Sequence, residues 1–176
     1  MRTLADRLRA KVREVPDFPK PGILFKDITP ILGDALLFAE ATNAMAQPWR
    51  DTGITHVVAI ESRGFLFGAP MAQALATGLV PVRKPGKLPA RTIREDYALE
   101  YRTDALEMHA DALGPGGRVL VVDDVLATGG TAGAAIALVE RSGALVAGVS
   151  VFIDLRFLGG PARLPGRTVT SALTYG

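Results

Sequence analysis

Leu4, Leu8 and Val12 recur at helical spacing among charged residues, and Thr3 stands where an N-cap accepts from open amides. The pattern predicts a short amphipathic helix over residues 3–14. Pro16, Pro19, Pro21 and Gly22 exclude regular structure and keep the chain extended to Ile23-Leu24-Phe25. Asp34 caps a predicted helix to about Met45, with Leu37, Ala41 and Ala44 on one face and Pro48 and Gly53 beyond its end. His56-Val57-Val58-Ala59-Ile60 reads as a strand. The loop Glu61-Ser62-Arg63-Gly64 follows it, then a helix from about Phe65 to Ala76 closed by Gly78. Leu79 to Val82 predicts a second strand, in which Pro81 needs a position where one amide goes unpaired.

Arg118-Val119-Leu120-Val121-Val122 is a β-branched run suited to a strand buried on both faces. A helix over Thr128–Arg141, a strand over Ala144–Ile153 and a short strand near Thr168–Leu173 complete the alternation. Strand–helix alternation of this kind predicts an α/β fold: a single domain over residues 1–176 with a mostly parallel twisted sheet flanked by helices. Residues 83–109 break the pattern. They are polar, contain Pro85, Gly86 and Pro89, and run about 27 residues, too long for a passive connection. Thr92-Ile93 and Tyr97-Ala98-Leu99-Glu100-Tyr101 suit a projecting hairpin.

Composition narrows the chemistry. The chain has 176 residues, 48% hydrophobic and 22% charged, and no cysteine. It is long enough to bury a core unaided, and disulfide scaffolds, Cys-ligated zinc and Cys nucleophiles are excluded. Only His56 and His109 supply imidazole, too far apart for an HExxH-type site. Lys+Arg 20 against Asp+Glu 18 leaves too thin an excess for a nucleic-acid surface. No apolar run approaches a membrane span, and the mixed charges of the first fifteen positions fit a cytoplasmic protein rather than a targeting segment.

The strongest chemical signal is Val121-Val122-Asp123-Asp124-Val125-Leu126-Ala127-Thr128-Gly129-Gly130-Thr131. Asp123 and Asp124 end a buried strand, at the edge where open α/β sheets bind ligands. Gly129 and Gly130 let amides approach a phosphate, Thr128 and Thr131 offer hydroxyls, and the next helix presents its positive end. Two carboxylates there would repel a bare polyphosphate. They suit sugar hydroxyls instead, with a divalent cation nearby, so the implied ligand is a phosphorylated sugar. The turn is neither a P-loop nor a GxGxxG dinucleotide turn.

This segment resembles the phosphoribosyl-pyrophosphate motif of the type I phosphoribosyltransferases, and the chain from Phe18 onward resembles their adenine-specific branch. The likeness also rests on Asp17 to Ile28, Glu61 to Gly68, Arg83 to Pro89, and Tyr97 to Tyr101, in that order. It implies transfer of a phosphoribosyl group from phosphoribosyl pyrophosphate to adenine, giving AMP and pyrophosphate, with Mg2+ held mainly through substrate and water. It also implies a homodimer, a small N-terminal hood over residues 1–33 and a flexible lid over 83–109.

By the resemblance, Asp123 and Asp124 hold the ribose hydroxyls, while Ala127, Thr128, Gly129, Gly130 and Thr131 cradle the 5′-phosphate. Arg63 can donate to the leaving pyrophosphate, and Gly64 lets the backbone approach; the family's loop here often carries a non-proline cis peptide. Arg83, Lys84, Lys87, Arg91 and Arg94 precede Glu95, the first acid of that segment, and pyrophosphate would relieve their repulsion. The resemblance assigns Arg83, Lys84 and Lys87 to it; in this family one such residue can come from a neighbouring subunit. Phe25 offers an aromatic face, and the backbone of Leu24 and Lys26 can meet an adenine edge. Glu100, between Leu99 and Tyr101, matches the family's catalytic glutamate. Lid closure, with Tyr97 and Tyr101 beside it, would desolvate that carboxyl and suit it to act as a general acid at the purine.

Ala127 stands where the hypoxanthine-guanine enzymes carry an aspartate, which favours adenine over 6-oxopurines. The alternatives are a phosphoribosyltransferase for another base and a ligand-sensing regulator of the same fold without catalysis.

Overall fold

The computed structural model describes residues 2–98 and 103–176. Helix α1 (Leu4–Lys11) starts at Thr3, whose hydroxyl accepts from Asp6 N while the Asp6 carboxylate accepts from Thr3 N, a reciprocal cap. The helix ends earlier than its spacing predicts, because the chain turns at Val12 into strand β1 (Arg13–Pro16). Strand β1 pairs antiparallel with β2 (Leu24–Asp27). The prolines therefore do not exclude pairing altogether; Pro16 is tolerated at the end of a two-stranded ribbon. After the short helix α2 (Thr29–Leu32) comes α3 (Ala35–Ala46), capped as expected by Asp34, which accepts from Leu37 N at 3.1 Å.

Strand β3 (His56–Ile60) occupies its predicted span. Helix α4 (Gly64–Ala74) follows, and its chain reversal uses Ala76 at φ 52°, not Gly78, which opens β4 (Gly78–Val82). The second hairpin is β5 (Thr92–Ala98) with β6 (Thr103–His109). Then come β7 (Arg118–Leu126), α5 (Gly130–Arg141), β8 (Leu145–Leu155) and β9 (Val169–Tyr175). Helix α5 begins two residues later than predicted, because Gly129 is left-handed.

The central sheet has the order β4-β3-β7-β8-β9, with every pair parallel. β4 is an edge, so Pro81 leaves no ladder amide missing. At the centre, Val119, Leu120, Val121 and Val122 are all fully buried. Val119 and Val121 join the cluster with α5, while Leu120 and Val122 join the cluster with α1 to α4. This two-faced burial explains why the run carries no polar alternation. Leu106 and Met108 of β6 are also fully buried, and Arg141 of α5 donates to Arg94 O at 2.6 Å. The second hairpin is thus rooted in the core on one side rather than projecting free.

On the opposite face, Phe67 stacks on Phe152 at 4.8 Å and meets Phe38 edge-to-face at 5.7 Å. Phe67→Ala is expected to cost about 3–5 kcal/mol through the cavity it leaves, lowering Tm by roughly 6–20 °C. A calorimetric shift under about 2 °C would show that this stack does not tie α4 to the sheet.

Candidate active site

From β3 the chain crosses to β4 on one side, and it returns to β7 on the other. Brought side by side, the carboxyl ends of β3 and β7 form the switch point at which such sheets open a crevice. A cleft of about 520 Å³ lies there. The loop after β3 contributes Glu61, Ser62 and Arg63, with the Glu61–Ser62 peptide cis. The end of β7 contributes Asp123, Asp124 and Ala127. Lys84, Tyr97, Asp104 and Thr131 close the other wall. A Cβ at Gly64 would stand 2.9 Å from Asp123 Oδ1 and 3.1 Å from Val122 O, so only glycine lets α4 begin against the carboxylate.

Asp124 is buried, whereas Asp123 opens partly onto the cleft. Burial pushes the Asp123 carboxyl well above its ordinary value, and the neighbouring Asp124 charge pushes the same way. Burial also raises Asp124, against the pull of Arg63. Arg63 Nε lies 2.7 Å from Asp124 Oδ2, but its N–H is not aimed along that line, and Oδ2 has no hydrogen-bond donor. The same guanidinium lies 5.2 Å from the centre of the Phe25 ring. One side chain therefore joins the N-terminal hairpin to the carboxylate pair.

The second wall is a set of matched charges. Arg83 Nε donates to Glu61 Oε2 at 3.1 Å, and Lys84 N donates to the same oxygen at 2.9 Å. Burial acts upward on Glu61, but these bonds outweigh it and hold the carboxyl below its usual range. Lys84 Nζ donates to Asp104 Oδ2 at 2.5 Å and to the Tyr97 hydroxyl at 3.1 Å. Desolvation works against the ammonium, yet these two partners prevail and hold Lys84 above its ordinary value. The repulsion expected among the cations of this segment is thus already relieved by protein carboxylates.

Between β7 and α5, Gly129 adopts φ 88°, and a Cβ there would sit 2.8 Å from Gly160 O. Both facts demand glycine. No side chain caps α5, which leaves its first amides for a ligand. Thr131 sits on this first turn, facing Tyr97 at 3.5 Å between hydroxyls.

Most of the residues expected to act converge here: Arg63, Lys84, Tyr97, Asp123, Asp124, Ala127 and Thr131 all line the cleft. Thr128, Gly129 and Gly130 form the adjoining turn. Leu24, Phe25 and Lys26 lie on β2, linked to the cleft through the Phe25–Arg63 contact. Arg83 is turned to Glu61, and Lys87 is exposed, with its carbonyl accepting from Arg83. Glu100 and Tyr101 lie outside the described residues. Sequence reasoning gave no role to Glu61 or Asp104. Asp104 faces Tyr97 across the hairpin, a register that a polar loop sequence does not announce. Among the described residues no group of three or more His, Cys, Asp or Glu could hold a metal ion, and no helix is long and apolar enough to cross a membrane.

A family model, the phosphoribosyl transferase domain, matches residues 31–161. The adenine phosphoribosyltransferase of Anaeromyxobacter dehalogenans (strain 2CP-1 / ATCC BAA-258) is 56% identical over 172 residues, covering 98% of this chain and 100% of that protein. The crystal structure of adenine phosphoribosyltransferase from Thermoanaerobacter pseudethanolicus superposes with a TM-score of 0.95 at 48% identity, over 98% of this chain and 100% of that one. The Saccharomyces cerevisiae adenine phosphoribosyltransferase, complexed with an imino-altritol bisphosphate and adenine, gives 0.88 at 39% identity, over 94% and 96% of the two chains. The chain belongs to the phosphoribosyltransferase family, among the adenine phosphoribosyltransferases.

Proposed function

We propose that the protein transfers the 5-phosphoribosyl group from phosphoribosyl pyrophosphate to adenine, giving AMP and pyrophosphate. The observation that carries this reading is the Asp123–Asp124 pair at the switch point, with an uncapped helix beginning six residues after Asp124. Hydroxyl donors suit such carboxylates, and a phosphate suits such a helix end. Asp123 and Asp124 accept from the ribose hydroxyls. The turn from Ala127 to Thr131 takes the 5′-phosphate.

Arg63, Arg83 and Lys84 turn from their carboxylate partners to the pyrophosphate as it leaves. Lys87 is exposed, and in a homodimer it serves the pyrophosphate in the partner's site. Residues 1–33 act as a hood, on which Phe25 stacks with adenine while the backbone of Leu24 and Lys26 meets its edge. Within residues 83–109, the lid is the part of the hairpin beyond the core-rooted Leu106 and Met108. Glu100 shares a proton with the purine, and Tyr97 and Tyr101 exclude water. The transition state is oxocarbenium-like: the bond from C1′ to pyrophosphate breaks ahead of the new bond to the ring nitrogen, and closure strengthens every charge contact in the cleft.

The cleft suits Mg2+ carried by its substrate. Four carboxylates, Glu61, Asp104, Asp123 and Asp124, line it without forming a protein cage, and Mg2+ commonly keeps water and substrate oxygens as ligands. The ion would offset charge on the departing pyrophosphate. We place the reaction in the cytoplasm, as a step of purine salvage.

A chromatographic assay with phosphoribosyl pyrophosphate and Mg2+, offering adenine, hypoxanthine, guanine and orotate separately, is expected to give AMP from adenine and no nucleotide from the others. Nucleotide from another base in preference would overturn the base assignment, and none at all from a folded protein would overturn the reaction. Glu100→Ala is expected to lower kcat by about 100-fold or more, with little change in phosphoribosyl-pyrophosphate affinity; matched losses in both would remove its proton role.

Asp123→Asn separates stability from function. A carboxyl raised in the folded protein above its ordinary 3.8 costs stability progressively as pH climbs from that value through the native one. The variant is expected to melt about 2–4 °C higher at pH 7, with the gain fading towards pH 4. Its affinity for phosphoribosyl pyrophosphate should fall by about tenfold or more. A lower Tm at pH 7, or undiminished affinity, would contradict the assignment.

A further inference from the structure

Strand alternation gives β2 two faces. On one, Phe25 approaches the Arg63 guanidinium at 5.2 Å and meets Phe18 edge-to-face at 5.1 Å. Lys26 follows it and points the other way, with its side chain only 10% exposed. Its ammonium lies 4.4 Å from the centre of the Tyr175 ring and pairs with Glu14 of β1. A second cation reaches the same ring: Arg9 of α1, with Cζ at 4.6 Å. That guanidinium also donates to Thr174 O at 2.8 Å. Tyr175 closes β9, which is laddered to β8 in the central sheet. A single aromatic ring of the sheet thus receives one cation from each of two N-terminal elements, α1 and β2.

Two cations beside one ring would repel each other in the absence of compensation. Glu14 supplies part of it, and the negative ring face supplies the rest. Burial pushes the Tyr175 hydroxyl up, so the ring stays neutral and attracts through its quadrupole. Phe25 and Lys26 are adjacent in sequence. Fixing Lys26 behind the strand therefore fixes the height of the Phe25 ring in front of it.

We propose that Tyr175 is a positioning residue for the base subsite: by holding Lys26 and Arg9 it seats β2 against the sheet and so sets the affinity for adenine, not for the sugar phosphate. This rests on reading Leu24 to Lys26 as the base subsite. The ring touches no substrate. The turn from Ala127 to Thr131 runs from the end of β7 into α5, outside this anchor, which is why the two affinities should separate.

The test is steady-state kinetics of the full chain, varying adenine at saturating phosphoribosyl pyrophosphate and then the reverse, with thermal melts of each variant. Tyr175→Leu keeps apolar bulk and removes the ring; it is expected to raise KM for adenine about five- to tenfold while KM for phosphoribosyl pyrophosphate stays within about twofold. Tyr175→Phe restores the ring and should return adenine KM to within about twofold of the parent. Equal adenine KM for the Leu and Phe variants, or a parallel rise in both KM values, would overturn the proposal. Should Tyr175→Leu fail to fold, Lys26→Met removes the ammonium and keeps the stem, and it must raise adenine KM alone. Phe25→Leu tests the underlying reading. If it raises adenine KM and Tyr175→Leu does not, the anchor fails by itself; if Phe25→Leu changes nothing, the base subsite itself is misplaced.

Discussion

Two adjacent carboxylates lie within β7, directly after residues removed from water on both faces, and burial disfavours the charge of each. A chain that keeps them there must hold a cation and a set of open donors within reach, or leave the site neutral and inert. Arg63 supplies the cation, and it is brought up by placing β3 beside β7 in the sheet order. Gly64 follows from that neighbourhood, since any side chain at the start of α4 would collide with Asp123. So does the missing cap on α5: amides satisfied by a protein side chain would have nothing left for a phosphate. Features that look like local defects are consequences of one placement.

The two hairpins outside the sheet obey a related rule. In each, one strand both joins the body and reaches the cleft. In β6, Leu106 and Met108 enter the core, while Asp104 reaches Lys84. In β2, Lys26 is tied behind while Phe25 faces Arg63 in front. In β2 the period of two makes this division possible, because Phe25 and Lys26 fall on opposite faces; in β6, Asp104, Leu106 and Met108 share one face, and the division runs along the strand, from the core to the cleft.

Much of this was legible in the sequence. Runs of buried aliphatics have only one reading when β-branched residues dominate and glycines bound them, so β3 and the start of β7 are legible, as are Thr3 and Asp34 as caps; β7 itself runs past the two carboxylates to Leu126 because it stays laddered to β8 there. The motif from Asp123 to Thr131 carried its chemistry in its residue types. What escaped was pairwise and long-range. Strand β1 was hidden because prolines argue against ladders, while an edge ribbon tolerates one at its end. Gly78 looked like a helix stop, although Ala76 takes the left-handed turn. Leu106 and Met108 sat in a polar stretch whose composition pointed outward, although their spacing of two was a faint core signal. Asp104 and Tyr175 have no local signature at all, since their partners lie about twenty and 150 residues away.

The charge pairs also change how the basic segment should be understood. As sequence, Arg83, Lys84 and Lys87 look like a cationic patch waiting for an anion. In the fold, Arg63 faces Asp124, Arg83 faces Glu61 and Lys84 faces Asp104. On the proposed reading an incoming pyrophosphate would meet no electropositive hole; it would have to displace a carboxylate from each cation it takes. Each exchange trades one charge-assisted contact for another, so the net gain per contact is smaller than a bare lysine or arginine would give. The carboxylates released in this way are left facing the cleft with their charge unmatched. On that reading a divalent cation arriving with the substrate would offset them, so the residues that hold the free protein together would also tie its affinity to the ion.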